Sequence, residues 1–179
     1  EAGGVSLDVH GDDEVRHAGP MPDVPLIILT SMDIDSFKAA VSQGPPERLL
    51  REEYLFPFQT VMAEARPYMV MPSYNELDGV PAHKNRWLLE RVLRREWGFR
   101  GVVVSDYYAV KQMQERHGTA ADWPEAARQA LTAGVDLELP DPEAYTTLVQ
   151  QVKEGRLSEA VLDAAVAKVL PRLEGAFSL

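Results

Sequence analysis

The sequence predicts an α/β fold made of repeated strand–helix units. Three apolar runs lie at 69–73, 101–105 and 135–139, and a fourth run, PLIILT, lies at 25–30. Val70, Val102 and Val135 are 32 and 33 residues apart, which is about the length of a strand, a helix and two short loops. Such continuous apolar strands are typical of a parallel sheet that helices cover on its faces.

The segments between these runs carry the periodicity of helices. Gly98 and Gly134 stand where two of these helices end, and each is expected to cap its helix in a left-handed conformation. Pro124 suits the first turn of a helix. Pro171 is expected to break the last helix, because proline lacks a backbone N–H. The predicted helices cover 48–65, 86–97, 124–133, 142–153 and 158–170.

The first 46 residues depart from this repeat. They are crowded with glycine and proline, and the step from Ile27 to Val70 is 43 residues, longer than the later spacing. We therefore expect two parts in the chain: an irregular N-terminal segment at 1–46 with one candidate strand, and a strand–helix domain at 47–179.

Composition excludes several classes of function. The 179 residues carry a net charge of −10, which opposes binding to nucleic acid or to an anionic membrane surface. No apolar run approaches the roughly 20 residues that cross a bilayer. The chain has no cysteine, so disulfides and thiolate nucleophiles are excluded. The cellular compartment stays open.

Polar residues follow two of the predicted strands directly. Tyr74 comes after the run at 69–73, and Asp106 comes after the run at 101–105. In parallel α/β sheets, ligand chemistry is built at the carboxyl ends of the strands. Asp106 is therefore a candidate reactive carboxylate, although an Asp before a helix also serves as an ordinary N-cap.

Two further sets of polar residues were weighed. Asp136 and Glu138 alternate along the last run, and Glu138 is a candidate second carboxylate for acid/base work. Side chains in such positions are more often buried and hydrogen-bonded, which is the interpretation we favour. The four histidines do not have the spacing of metal ligands, and no metal site is expected.

Four motifs then indicate a family. They read YLFPF at 54–58, SYNELDGVP at 73–81, NRWLLERVLRREWGFRGVVVSDY at 85–107 and AARQALTAGVDLELP at 126–140. Over residues 51–170 the chain resembles the N-terminal barrel domain of glycoside hydrolase family 3, which contains β-glucosidases, β-xylosidases and related exo-acting enzymes. The resemblance implies a partial TIM-type (β/α) barrel that contains its last three or four strand–helix units.

The resemblance also implies a chemistry and its residues. It implies retaining hydrolysis that releases terminal β-linked glucose or xylose, with no cofactor. Asp106 matches the nucleophile of the family's SDW or SDY motif. Tyr74 matches the tyrosine of its SYN motif beside the cleaved sugar, and Tyr107 resembles the aromatic residue that lines the same subsite.

Some groups that the family carries have no counterpart in this sequence. They are a Lys-His pair and a substrate-binding Asp and Arg on earlier strands, together with an acid/base that usually comes from a second domain or a long insertion. Two hypotheses follow. The chain belongs to a retaining β-glycosidase acting on a β-glycoside or oligosaccharide, and a missing domain, a partner chain or self-association completes it. Alternatively, it is an inactive truncated or fused remnant with weak sugar binding or a subunit role.

Overall fold

The computed structural model describes residues 26–28 and 47–176, with side chains described for 47–171. The strands are β1 (Leu26–Ile28), β2 (Met69–Met71), β3 (Glu76–Leu77), β4 (Val80–Pro81) and β5 (Val102–Val103). The longer helices are α1 (Glu47–Leu49, continued by wider turns over Leu50–Tyr54), α2 (Phe56–Ala65), α3 (Trp87–Glu96), α4 (Ala109–Glu115), α5 (Trp123–Ala133), α6 (Leu148–Lys153) and α7 (Glu159–Ala176).

A parallel sheet organises the described chain. Its strand order is β1, β2, β5, and Val70 of β2 pairs with Ile27 of β1 and with Val103 of β5. The predicted α/β class is confirmed. The candidate strand at 25–30 is confirmed over its central part, and the rest of the segment 1–46 lies outside the described residues.

The fourth predicted strand, at 135–139, is reduced to a single bridge. Leu137 pairs in parallel with Val104, and the Ser105 N–H donates to the Leu137 carbonyl at 2.8 Å. This segment therefore lies beside β5, on the side away from β2, so the order β1, β2, β5 and 135–139 in the sheet is also their order in the chain. Regular pairing is short because side chains take over part of the hydrogen bonding: Ser105 Oγ accepts the Leu139 N–H at 2.8 Å.

A small hairpin interrupts the crossover from β2 to α3. Strands β3 and β4 pair antiparallel, and the two residues between them, Asp78 and Gly79, have φ of 52° and 71°. Two positive φ angles define the tight hairpin turn that the Asp-Gly dipeptide favours. The hairpin leads into a 3₁₀ turn at Ala82–Lys84.

The helices α3 and α5 each bury an apolar side and begin at a side-chain cap. The apolar stripe predicted on α3 is buried through Leu89, Val92 and Leu93. Asn85 Oδ1 accepts the Leu88 N–H at 3.0 Å as α3 begins, and Asp122 Oδ1 accepts the Glu125 N–H at 2.7 Å as α5 begins. Side-chain oxygens thus satisfy donors that a helix start leaves unpaired.

The glycine and proline predictions for these helices are confirmed. Gly98 and Gly134 follow α3 and α5 with φ of 72° and 111°, and Pro124 lies in the first turn of α5. Gly101 has a different role at the entrance to β5. A Cβ there would lie 2.1 Å from the Tyr68 carbonyl oxygen, so only glycine lets the two strands approach.

The expected helix at 48–65 is divided. The Leu55 N–H donates to the Leu50 carbonyl at 2.8 Å, five residues back, and α2 starts afresh at Phe56. Pro57 explains the restart, because it lies in the first turn of α2 and has no N–H to continue the earlier helix. Helix α6 is likewise shorter than predicted, since a 3₁₀ turn at Tyr145–Thr147 precedes it.

The prediction that Pro171 ends the last helix is wrong. Helix α7 begins one residue after Ser158 and continues through Pro171 to Ala176. Proline lacks one N–H donor and its ring crowds the preceding turn, which disfavours a helix at this point. The residues on both sides of Pro171 are nevertheless helical.

A buried ion cluster fixes the N-terminal ends of the strands. The Asp136 carboxylate, whose side chain is only 2% exposed, accepts hydrogen bonds from Arg94 at 2.6 Å and Lys168 at 2.7 Å. It also accepts the Val103 N–H at 2.8 Å. Arg94 donates further to the Gly101 carbonyl at 3.2 Å. One carboxylate thus joins α3, α7, β5 and the segment at 135–139.

We predict that Asp136→Ala destabilises the fold by about 3 kcal/mol, because it leaves Arg94 and Lys168 without their shared anion. Urea unfolding at neutral pH measures the effect. Glu52→Ala is the matched control, since it breaks an exposed pair with Arg48 and should cost less than about 1 kcal/mol. Equal losses in the two variants would contradict the structural role of Asp136.

Candidate active site

Tyr74 and Asp106 meet at the carboxyl edge of the parallel sheet. Tyr74 follows β2 and Asp106 follows β5, and these strands are adjacent and parallel. The Tyr74 hydroxyl donates to the Tyr107 carbonyl at 2.7 Å, which joins the two strand ends directly. The expectation that both residues face one shared region is met.

The backbone around Asp106 is held on both sides. Its N–H donates to His83 Nε2 at 3.0 Å, and its carbonyl accepts the Ala109 N–H at 3.1 Å. The side-chain Oδ1 accepts the Tyr107 N–H at 2.7 Å. The N-cap position of α4 is Tyr108, without a side-chain cap, so the alternative prediction that Asp106 is an ordinary N-cap is wrong. The second carboxylate oxygen of Asp106 is not used by the contact with the Tyr107 N–H.

The hydroxyl of Tyr74 stays protonated at neutral pH. Burial, together with the nearby Asp106 carboxylate, raises the pKa of Tyr74 to about 12. The residue is 39% exposed. Tyr74 is thus partly open to solvent, while its hydroxyl contacts the Tyr107 carbonyl close to the Asp106 carboxylate.

Tyr107 and Tyr108 diverge, as expected for neighbours in sequence. Their ring centroids lie 6.5 Å apart at an interplanar angle of 74°. The Tyr108 ring contacts the Lys111 ammonium at 4.6 Å, and Lys111 is paired with Glu143. Tyr107 is 56% exposed, and its carbonyl accepts the hydrogen bond from the Tyr74 hydroxyl. Of these two tyrosines, Tyr107 is therefore the one that contacts the Tyr74–Asp106 site.

The carboxylates at 136 and 138 are engaged elsewhere. Asp136 belongs to the ion cluster at the opposite ends of the strands, away from Tyr74 and Asp106. Glu138 is buried and accepts the Tyr145 N–H at 2.7 Å. Its desolvation raises the pKa of Glu138. The buried, hydrogen-bonded interpretation of both residues agrees with these contacts.

His83 is the residue of this site that sequence reasoning missed. It lies in the 3₁₀ turn after the hairpin and is 2% exposed. Burial, and secondarily the charge of His117, lowers the pKa of His83 to about 3, so the ring is neutral at ordinary pH. The Asp-Gly hairpin signal could have indicated that the chain returns over the strand ends just before His83.

A second histidine lies close by. His117 Nδ1 and Glu76 Oε1 are 2.6 Å apart, which links the loop after α4 to β3. Within the described ranges, His, Asp and Glu side chains do not converge in threes as a metal site requires. No helix in the described part of the chain has the length and apolar character to cross a membrane.

Comparison with known proteins agrees with the sequence motifs. Residues 31–171 match the model of the glycosyl hydrolase family 3 N-terminal domain. A β-glucosidase of Rhizobium radiobacter is 39% identical over 144 residues, which are 78% of this chain and 16% of that protein. A periplasmic β-glucosidase of Salmonella typhimurium is 42% identical over 121 residues, 68% of this chain and 16% of that protein.

A solved structure gives the same result. The β-glucosidase of Listeria innocua in complex with glucose superimposes with a TM-score of 0.67 at 39% identity, covering 72% of this chain and 18% of that one. The chain therefore spans about one sixth of the length of the curated relatives it matches.

We predict that His83 makes the fold sensitive to acid. The unfolded chain takes up the imidazole proton below about pH 6.5, whereas the folded chain resists it until about pH 3. The unfolded state thus binds more protons in this window, and stability falls as the pH falls. Between about pH 7 and about pH 5 the loss from this group is about 2 kcal/mol.

Urea unfolding of the wild type and of His83→Gln at the two pH values isolates this contribution. The stability difference between the two proteins should change by that amount, in the direction that disfavours the wild type at acid pH. An identical acid dependence in both proteins would show that His83 is not buried as a neutral ring.

Proposed function

The chain belongs to glycosyl hydrolase family 3 through the N-terminal domain of that family, and we propose that it carries the nucleophile half of a retaining β-glycosidase. The reaction is hydrolysis of an O-glycosyl bond that releases terminal β-linked glucose or xylose. The observation that carries the proposal is the Asp106 carboxylate at the end of β5, beside the Tyr74 hydroxyl at the end of β2.

The geometry of Asp106 supports its role as nucleophile. Oδ1 is tied to the Tyr107 N–H, which leaves the other oxygen to attack the anomeric carbon of the sugar. In the first step that oxygen bonds to the carbon, and the leaving-group oxygen departs with the electron pair and takes a proton from an acid. Water then cleaves the glycosyl–Asp106 ester, with the same acid acting as base.

Tyr74 and Tyr107 contribute substrate contacts in this scheme. The Tyr74 hydroxyl lies next to the carboxylate and stays protonated at neutral pH. Its hydrogen is donated to the Tyr107 carbonyl, so its oxygen is proposed to accept a hydrogen bond from a sugar hydroxyl. The exposed Tyr107 ring offers an aromatic face to the C–H groups of a sugar.

The acid/base is proposed to come from outside the described residues. Retaining enzymes hold their two carboxyl groups about 5–5.5 Å apart, and Asp136 and Glu138 are both bound into other contacts. The relatives are about six times longer than the matched region, which supports a further domain or a partner chain as the source. The same β-glucosidase relatives favour a hydrolase over an inactive remnant.

A partial barrel is the proposed finer architecture. Strands β1, β2 and β5 and the segment at 135–139 are parallel neighbours in chain order. Helices cross over between them, which is the arrangement of consecutive barrel strands. The chemistry then falls at the carboxyl ends, where barrel enzymes carry it.

Covalent trapping tests the nucleophile directly. A 2-deoxy-2-fluoro-β-glucoside with a dinitrophenolate leaving group needs no acid, so the test does not depend on the missing carboxyl group. We predict that intact mass spectrometry shows one fluoroglucosyl adduct on the full chain and none on Asp106→Ala, because the variant lacks the carboxylate that forms the covalent bond. Asp163→Ala, at an exposed site on α7, is the control and should be trapped like the wild type. Trapping of Asp106→Ala at the wild-type rate would refute the assignment.

The same reagent tests Tyr74. We predict that Tyr74→Phe slows trapping about tenfold, the equivalent of one lost hydrogen bond in the transition state. Tyr108→Phe is the matched control, since it keeps the ring that contacts Lys111 and changes a hydroxyl outside the proposed site. Equal rates for the wild type and Tyr74→Phe would remove Tyr74 from the proposed machinery.

A further inference from the structure

The hydrogen bonds between β2 and β5 follow a regular series. The Val102 N–H donates to the Tyr68 carbonyl at 2.9 Å, and the Val104 N–H donates to the Val70 carbonyl at 2.9 Å. Each step advances two residues on both strands, as a parallel ladder requires. This series predicts the acceptor of the next donor on the strand.

The backbone N–H of the candidate nucleophile, Asp106, does not have the acceptor that this series predicts. The next donor is the Asp106 N–H, and continuing the ladder would pair it with the carbonyl of Pro72. It donates instead to Nε2 of His83 at 3.0 Å. A side chain from the turn after the hairpin thus replaces the backbone acceptor at the last step of the ladder.

The His83 ring is suited to this role. It is 2% exposed, and the turn that carries it follows the tight β3–β4 hairpin, so its backbone is fixed on the N-terminal side. Because Nε2 accepts the Asp106 N–H, the proton of the neutral ring must lie on Nδ1. The tautomer is therefore determined by the contact.

We propose that His83 is a positioning residue, which ends the β2–β5 ladder at Asp106 and holds the backbone of that residue so that its carboxylate faces Tyr74. The proposal rests on the proposed function for the identity of Asp106 as the nucleophile. The hydrogen bond itself does not depend on it.

The contacts of Asp106 explain why this backbone bond matters. Its carbonyl and Oδ1 are held by the N–H groups of Ala109 and Tyr107, which are its own near neighbours in sequence. His83 is 23 residues away in sequence. Its bond therefore fixes the local turn relative to the hairpin and β2. Even a small displacement of the nucleophile from the reacting carbon lowers the rate of the chemical step substantially.

Two measurements on the unaltered full chain test this hydrogen bond and do not require that the protein be catalytically active. Long-range ¹H–¹⁵N spectra of the histidine rings should show an unprotonated Nε2 at His83, and the Asp106 amide should be protected from hydrogen exchange. A proton on Nε2 would place two donors against each other and would overturn the proposal. An Asp106 amide that exchanges like a surface loop would overturn it as well.

A pair of variants tests the effect on the nucleophile. His83→Gln keeps an acceptor near the Nε2 position, and His83→Leu removes it. We expect His83→Leu to lose at least about tenfold in Asp106 amide protection and in the saturating rate of fluoroglucoside trapping, with a smaller change in the concentration for half-saturation. His83→Gln should recover most of both, which simple loss of packing would not explain.

The outcomes separate this proposal from the proposed function. If the wild type is not trapped, the function fails, and the ring spectra and amide exchange still decide whether His83 holds Asp106. If the wild type is trapped and both variants react at its rate, the function stands and the positioning role is refuted. Melting curves of the two variants verify that both are folded under the assay conditions.

Discussion

The parallel pairing of β2 with β5 is the contact on which the rest of this structure depends. It sets Val70 opposite Val103, and the same register carries Tyr74 and Asp106 to one edge of the sheet. The close approach requires Gly101, because a side chain there would collide with the Tyr68 carbonyl. A shift of one residue would move Gly101 away from the Tyr68 carbonyl and would displace Tyr74 from Asp106 along the edge of the sheet.

The two ends of this sheet serve different purposes. At the start of β5, the buried Asp136 joins Arg94, Lys168 and the Val103 N–H in an ion cluster. At the other end, the Asp106 carboxylate uses Oδ1 to accept the Tyr107 N–H, and it lies beside the Tyr74 hydroxyl. Charges that are satisfied internally stabilise the fold, whereas a carboxylate with an unused oxygen is available to a substrate. The division matches the general rule that chemistry occupies the carboxyl ends of parallel strands.

The site also contains one locally unfavourable backbone conformation. Tyr108 has φ of 61°, a region that bulky residues rarely adopt. Its N–H donates to the Leu139 carbonyl at 3.0 Å, and its ring contacts Lys111. These contacts offset the strain and set the sharp turn that directs the chain from Asp106 into α4. Such positions are concentrated near functional sites, because surrounding contacts must hold them.

Sequence alone determined the features that depend on neighbouring residues. The spacing of apolar runs indicated the strands and helices, Gly98, Gly134 and Pro124 marked helix ends, and strand order placed Asp106 and Tyr74 at one edge. Tertiary structure decided the contacts between distant residues: His83 on Asp106 and Arg94 on Asp136 join positions 23 and 42 residues apart. It also decided that the segment at 135–139 pairs only at Leu137. No local pattern encodes these outcomes, because each is selected by which buried donors and acceptors the packed elements bring together.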